Sequence, residues 1–273
     1  MHSLYTWKER NPRGKAMTDR GLTEDGYIKN YVSLDNVQRE FKPVLEATVN
    51  ALKSEFQSYI HSVYLYGSVG RGNATPYQSD LDICIVTHEP LSESLSSELE
   101  EVAYELNNTF NIISKLEFDI GHYEEVMIKN DFEWQCWLKH FCTCIWGDDL
   151  TKVILPCKPK TAVFCEMNKD IQQRLDKAFQ VNPIDADFKS LAKKILRTDY
   201  GLVAEEDNSY FTELEEIVGV LLNEDRDKDV IQQAHKIAAG KCCDAEMAKN
   251  ILANYGKKVA DSVYSYLSPK ETS

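Results

Sequence analysis

The stretch from Ser62 to Val86 constrains this chain more than any other. Ser62 to Tyr66 is rich in β-branched and aromatic residues and ends at Gly67-Ser68, so it reads as a strand stopped by a turn. Gly70, Gly72, Asn73 and Pro76 keep the following residues in a loop, and Leu81 to Val86 reads as a second strand. Asp80 and Asp82 stand at its start. Side chains alternate across a strand, so both carboxylates project from one face. Two ionised carboxylates held so close repel each other unless a cation sits between them. Hard oxygen ligands at that spacing suit Mg²⁺, which binds through one or two carboxylates plus substrate phosphates. Gly67 lets backbone approach a phosphate, Ser68 adds a hydroxyl, and Arg71 can neutralise the rest of a polyphosphate. The glycines read G-x-x-G-x-G with a strand following, which is neither a Walker loop nor a dinucleotide fingerprint.

Around this centre the periodicity changes along the chain. Apolar residues recur at three- and four-residue spacing from Leu34 to Ile60, which predicts an amphipathic helix. Ser92 to Phe110 predicts a helix carrying a run of glutamates, Ile112 to Ile120 a third strand, and Phe132 to Ile145 another helix. In that last helix Trp134, Trp137, His140 and Phe141 read as core packing. After Trp146-Gly147-Asp148-Asp149, with Pro156 and Pro159 marking a linker, helices are expected at about 166–180, 186–204, 213–223, 229–239 and 244–267. Thr212 with Glu215 fits a capping box, and Asp244 can cap the last helix, whose Met247, Ile251, Leu252, Tyr255, Val259 and Val263 form an apolar face. The expected division is an N-terminal arm over 1–30, a catalytic domain over 31–150 and a helical domain over 151–273.

Charge narrows the function. The chain has 273 residues and a formal charge of −13. Residues 1–42 hold 8 basic and 6 acidic side chains, and residues 151–273 hold 18 and 20, so both nearly cancel; residues 43–150 hold 5 against 18 and carry the whole imbalance. An acidic catalytic segment offers no basic stripe to a nucleic-acid strand, so no nucleic-acid partner is expected. Unpaired carboxylates near a cleft would instead attract a polycationic small molecule. No apolar run approaches the ~18 residues of a membrane helix, and the first 15 residues lack the apolar stretch of a signal peptide. A cytoplasmic protein is therefore expected, with its eight cysteines reduced and mostly buried and with no zinc-type spacing among them.

Gly67-Ser68, the loop, and Asp80-Leu81-Asp82 resemble the signature of the nucleotidyltransferase superfamily related to DNA polymerase β. Here eleven residues separate Ser68 from Asp80, because Tyr77-Gln78 stand where many members have one residue. The resemblance implies an α+β fold: a mixed sheet with flanking helices, then a C-terminal helical bundle. It also implies transfer of a nucleoside monophosphate from ATP or another nucleoside triphosphate to a hydroxyl, releasing pyrophosphate. Gly67, Ser68, Arg71 and Ser79 would then serve the nucleotide. The family uses a third carboxylate on a neighbouring strand. Glu117 and Asp119 are the candidates, and Leu116-Glu117-Phe118-Asp119-Ile120 looks like the pattern of aminoglycoside adenylyltransferases, which favours Glu117. Asp80, Asp82 and Glu117 would hold two Mg²⁺ ions, which in such sites lie roughly 3.5–4 Å apart and serve the attacking and leaving oxygens.

Lys189, Lys193 and Arg197 recur every four residues. Their segment, Phe188 to Glu206, resembles the helical domain of bacterial small nucleotidyltransferases, in which a basic residue serves the triphosphate; this implicates Lys193 and Arg197. Glu205 and Glu206 are candidates for a substrate subsite. The expected acceptor is a small hydroxyl-bearing, aminoglycoside-like cation. The alternative is a protein-modifying, antitoxin-like enzyme that transfers AMP to a partner protein. Sugar-modifying relatives often share sites across a dimer, which leaves a homodimer open.

Overall fold

The computed structural model describes residues 19–128, 132–182, 186–242 and 244–268. Most of the expected N-terminal arm therefore lies outside the described residues. The chain divides into two compact units, Lys29–Cys157 and a second made of residues 19–28 with 158–268. Among the described residues no helix is long and apolar enough to cross a membrane.

The first unit is built on a four-stranded mixed sheet in the order β3-β2-β1-β4. Strand β1 (Ile60–Leu65) pairs antiparallel with β2 (Leu81–Thr87) on one side and with β4 (Thr143–Gly147) on the other. Strand β3 (Leu116–His122) lies parallel to β2. A parallel neighbour needs a crossover, which α3 (Glu93–Thr109) supplies, with the Ser92 hydroxyl accepting from Leu95 N to cap it. Both faces of the central strands are apolar because both are covered. Val63, Leu65, Ile83 and Ile85 meet Val44, Leu52 and Phe56 of α1 (Lys42–Phe56) and Leu99 of α3. Tyr64, Cys84 and Val86 face the other way, against Leu138 of α4 (Phe132–Phe141) and Leu150. Burying an aliphatic side chain contributes about 1.5–3 kcal/mol, so this double covering is what pins β2 and the residues at its start.

Several sequence expectations for this unit need correction. The helix expected over 34–60 starts only at Lys42, because Pro43 is tolerated in a first turn but not in a helix interior. Val37 and Phe41, which carry the earlier periodicity, are buried from two 3₁₀ turns at Leu34–Asn36 and Arg39–Phe41. The third strand is displaced to Leu116–His122: Tyr77 N donates to Ile112 O and Ser114 N to Ser79 O, so residues 112–114 bond to the motif loop instead of a ladder. The helix expected to Ile145 stops at Phe141. Thr143-Cys144-Ile145-Trp146 is β-branched and aromatic, and it becomes β4.

The second unit is helical: α5 (Thr161–Met167), α6 (Ile171–Gln180), α7 (Phe188–Gly201), α8 (Ala204–Asp207), α9 (Leu214–Leu221), α10 (Lys228–Ala238) and α11 (Ala245–Leu267). Leu191, Ala192, Ile195 and Leu196 of α7 share one apolar core with Ile217 and Leu221 of α9, Ile231 and Ala234 of α10, and Leu252 and Val259 of α11. The helix expected over 166–180 is two. Asn168 turns the chain between α5 and α6, donating to Phe164 O at 2.7 Å while accepting from the Thr198 hydroxyl at 2.9 Å. The Thr212 capping box does not form. Helix α9 begins at Leu214, so Glu213 occupies the cap position and makes no side-chain cap bond. Asp244 does cap α11, accepting from Met247 N at 2.9 Å. Met247 itself is half exposed, the first turn of α11 being anchored by Ala248.

Inside this unit a buried ion pair ties three elements. Asp199 of α7 receives the Tyr255 hydroxyl of α11 at 2.6 Å and pairs with Arg226, just before α10, at 2.6 Å. Burial raises the Asp199 pKa, which Arg226 and Tyr255 oppose. Arg20 joins Asp207 and Asn208 O, and Tyr210 N donates to Arg20 O, fixing residues 19–28 to the helices.

Candidate active site

Where a loop is expected after β1, the chain makes a short helix, α2 (Gly67–Arg71), before the loop begins. Gly72 closes it at φ +72°, with its N–H on Val69 O at 3.1 Å, and Asn73 N donates to Ser68 O at 3.1 Å. Gly67 also sits at φ +72°, and a Cβ there would stand 1.9 Å from Asp82 Oδ2. The glycine is thus needed twice: for the turn, and to leave room for a carboxylate from the adjacent strand. Tyr66 N donates to Asp82 O at 3.1 Å, which joins the turn to β2 directly.

The loop from Asn73 to Ser79 accommodates its additional residue through backbone geometry. Tyr77 takes φ +65°, which is rare for a residue with a Cβ, and its side chain is 71% exposed. Ser79 N donates to Thr75 O at 3.0 Å, and Ser79 Oγ accepts from Thr75 N at 2.9 Å. Ser79 therefore closes the loop on itself. Ser114 donates to Gln78 O at 3.0 Å and bonds Asp80 Oδ1, so it fixes the first motif aspartate.

The parallel register sets Asp82 opposite Glu117 and Cys84 opposite Asp119. Oxygens of Asp80, Asp82 and Glu117 all lie within 4.8 Å of one another. Asp119, one step further along β3, is not in that group and bonds the Tyr66 hydroxyl instead. Glu117 pairs with Lys115. At Asp82 burial pushes the carboxyl up to about 6, the charges of Asp80 and Glu117 push the same way, and Arg71 opposes them. A carboxylate so destabilised is what a divalent cation relieves. The donor set is all oxygen, its members converge, and Gly67 keeps Asp82 in place, so these residues fit Mg²⁺.

Helix α4 supplies aromatic neighbours. The Tyr66 ring meets Trp137 edge-on with centroids 4.8 Å apart, and Trp137 lies 5.3 Å from Trp134. Both tryptophans are partly buried against the second core cluster, and His140 is buried. The remaining expected site residues belong to the helical unit. On α7, Lys189 and Arg197 are exposed and Lys193 is half-buried, its pKa lowered by burial and then by Lys189 and Arg197. Glu205 already holds the Lys160 ammonium at 2.5 Å and the Thr161 amide at 2.9 Å, while Glu206 is exposed. The contacts that sequence alone did not single out are those of Tyr66, Ser114 and Lys115. The first is part of the quoted motif; the other two bear no pattern that marks them.

Residues 45–142 match the family model described as the nucleotidyltransferase domain. That span holds the Gly67-Ser68 turn, Asp80, Asp82 and Glu117, so the first unit carries a nucleotidyltransferase domain and the chain is an enzyme of the transferase class. Among solved structures it is similar to spectinomycin adenyltransferase AAD(9) from Enterococcus faecialis, crystallised with ATP and spectinomycin. The TM-score is 0.53 at 13% sequence identity, covering 79% of this chain and 99% of that one. At this identity the likeness is one of fold, a mixed sheet with flanking helices followed by a helical region. No curated protein matches the chain in sequence.

Proposed function

We propose that the chain catalyses Mg²⁺-dependent transfer of AMP from ATP to a hydroxyl of a small, cationic, aminoglycoside-like molecule, releasing pyrophosphate. The observation that carries this reading is the convergence of Asp80, Asp82 and Glu117 beside the Gly67-Ser68 turn within a nucleotidyltransferase domain. The acceptor class rests on two supports. The acidic surplus lies within residues 43–150, where it favours a cationic substrate, and the neighbour of similar fold was crystallised with ATP and spectinomycin.

Asp80, Asp82 and Glu117 would hold Mg²⁺, which when bound supplies positive charge for the phosphates and for the acceptor oxygen. The chain's own residues do the rest. Gly67 and Ser68 admit the phosphates beside the opening of α2, and Arg71 offsets their charge. Glu117, the exposed carboxylate of the three, takes the proton of the acceptor hydroxyl. A bond forms between that oxygen and the α-phosphorus, the bond from the α-phosphorus to the bridging oxygen breaks, and pyrophosphate leaves. To Lys193 and Arg197 the same reading assigns the charge of the triphosphate, and of Glu205 and Glu206 it leaves Glu206 for an acceptor, since Glu205 is already paired.

Incubation with α-labelled ATP, Mg²⁺ and either spectinomycin or a kanamycin-type aminoglycoside tests the reaction. Labelled antibiotic is the expected product. Label that appears only on a protein band, when cell extract is offered, would overturn the small-molecule reading in favour of protein modification. Loss of transfer in the Asp80→Ala, Asp82→Ala double variant tests the carboxylates.

A further inference from the structure

Of the three carboxylates that converge on the candidate metal site, Asp80 comes first in the chain, and one dipeptide holds it from both sides. Ser114 N donates to Ser79 O at 3.1 Å, and Leu81 N donates to Lys115 O at 2.8 Å. The backbone before and after Asp80 is therefore tied to Ser114-Lys115. That dipeptide is itself anchored, since Ile113 and Leu116, which flank it, are buried. The Ser114 side chain joins the arrangement, its hydroxyl reaching Asp80 Oδ1 and, at 3.0 Å, Gln78 O. A hydroxyl carries one hydrogen. Between a neutral carbonyl and an ionised carboxylate, the carboxylate is the stronger acceptor, so Asp80 takes it. The additional loop residue belongs to the same device: Tyr77, at φ +65°, donates its N–H to Ile112 O at 2.7 Å. The loop is thus fastened to the segment that holds Asp80.

The bond matters for what it restrains. The last torsion of an aspartate is broad, so a carboxylate without a partner turns about it with little cost. A metal ion needs its ligand oxygen in one place, and a hydrogen bond to the ligating carboxylate supplies that order. The charge of the partner decides whether it helps or competes. Glu117 is engaged by the Lys115 ammonium, a cation that a metal would have to displace. Ser114 is neutral: it fixes one oxygen of Asp80 and leaves the carboxylate its charge. Ser114 is also exposed, so its side chain adds little to the core.

In the reaction put forward above, on which this inference rests, Asp80 is a metal ligand. We propose that Ser114 is a positioning residue for that metal: its hydroxyl holds the Asp80 carboxylate in the orientation a divalent cation requires. It acts through Asp80 and touches neither substrate. The first motif aspartate is then aligned from outside the motif, by a residue 34 positions further along the chain.

Mn²⁺ serves as the probe, because its binding to the full chain is read without nucleotide or turnover, from the loss of the free ion's paramagnetic resonance signal. Ser114→Ala should weaken Mn²⁺ binding by about 10- to 100-fold, the usual cost of removing a ligand's hydrogen-bond partner. Ser114→Thr keeps the hydroxyl and should bind Mn²⁺ as the wild type does. In EDTA the three proteins should melt within about 2 °C of one another, as exposed substitutions do. Wild-type affinity in Ser114→Ala overturns the proposal. Equal losses in Ser114→Ala and Ser114→Thr overturn it too, since the hydroxyl would not be the group that acts. So does a Ser114→Ala protein that melts well below the wild type in EDTA, or a wild type that takes up no Mn²⁺. The α-labelled ATP assay on the same preparations separates this role from the reaction. Transfer by the wild type, with Mn²⁺ bound equally by Ser114→Ala, removes the positioning role and leaves the reaction standing. Weakened Mn²⁺ binding in Ser114→Ala, with no transfer by the wild type to any acceptor, does the reverse.

Discussion

Replacing Asp82 with asparagine should make the metal-free enzyme more stable while abolishing its activity, and the size of the gain follows from the site. The Asp82 carboxyl is raised from the ordinary 3.8 to about 6, with burial as the first cause and Asp80 and Glu117 adding to it. A group whose pKa is higher in the fold than in the unfolded chain supports the fold fully below the unfolded value. That support is lost as pH rises through the folded value. Between pH 4 and neutrality the ionisation of Asp82 therefore costs about 3 kcal/mol, at roughly 1.4 kcal/mol per pH unit. Asparagine has the same shape, carries no charge, and can donate to the carboxylates of Asp80 and Glu117. In EDTA at pH 7.5 the variant should melt higher, by on the order of 10 °C at roughly 2–4 °C per kcal/mol. At pH 4.5, where Asp82 is largely protonated in the fold, the gap should shrink to about 1 kcal/mol. Mg²⁺ should reverse the order, since only the wild type gains the stabilisation of bound metal, about 2.7 kcal/mol at a hundredfold excess over Kd. Melting curves in EDTA and in Mg²⁺ at both pH values measure all of this. A variant that melts at or below the wild type in EDTA at pH 7.5, or a gap unchanged at pH 4.5, would refute the reasoning.

Gly67→Ala must bear both a φ of +72° and a Cβ 1.9 Å from Asp82 Oδ2; transfer should fall by at least about 100-fold, as displacement of a reacting group by an ångström does, and an unchanged kcat would contradict the placement of Asp82. Because Asp82 must ionise to bind a cation, the apparent Mg²⁺ affinity should weaken about fivefold between pH 6 and pH 5, a trend that calorimetric titration would read. Arg226→Ala strands the buried Asp199 carboxylate and should destabilise the helical unit by about 3–5 kcal/mol, with Asp199→Asn in the same background recovering part of the loss in urea melts. Lys193→Ala should raise KM for ATP severalfold with little change in KM for the acceptor; the converse pattern would remove Lys193 from the triphosphate.

Local chemistry explains which elements could be read from the residues. Strand β1 carries a β-branched and aromatic run that ends at Gly67, β2 carries an aliphatic, β-branched run, and α3 has a serine cap and a clean period, so each lies within a residue or two of its expected position. The misplacements arise where tertiary bonds override a local pattern. Ile112 and Ile113 look like strand but serve the loop and the core. Residues 143–147 look like the end of a helix until β1 offers them a ladder. Asn168 ends α5 by bonding Thr198, thirty positions away, which no window over 166–180 contains.

The site was legible for a different reason. A metal site would need chemically unusual groups at fixed intervals, and Gly67, Ser68, Asp80 and Asp82 are such groups at the ends of the two best-marked strands. The choice between Glu117 and Asp119 could not be made from alternation, since both occupy one face of β3. Register separates the two: Glu117 falls opposite Asp82, and Asp119 falls opposite Cys84, where Tyr66 engages it. The charge of −13 has the same two-level character. Four of the acidic groups in residues 43–150 are Asp80, Asp82, Glu117 and Asp119, and three of those converge. Much of the remainder lies on α3, where Glu93, Glu98, Glu100, Glu101 and Glu105 occupy the side turned away from Leu99 and Val102. Exposed charges on a helix whose opposite face is in the core are what a surface helix requires for its own sake, and they are screened beyond ~10 Å in ordinary salt. The part of the imbalance that can act on a cationic acceptor at close range is therefore the small set at the start of β2 and on β3, which is also the set that Mg²⁺ would claim.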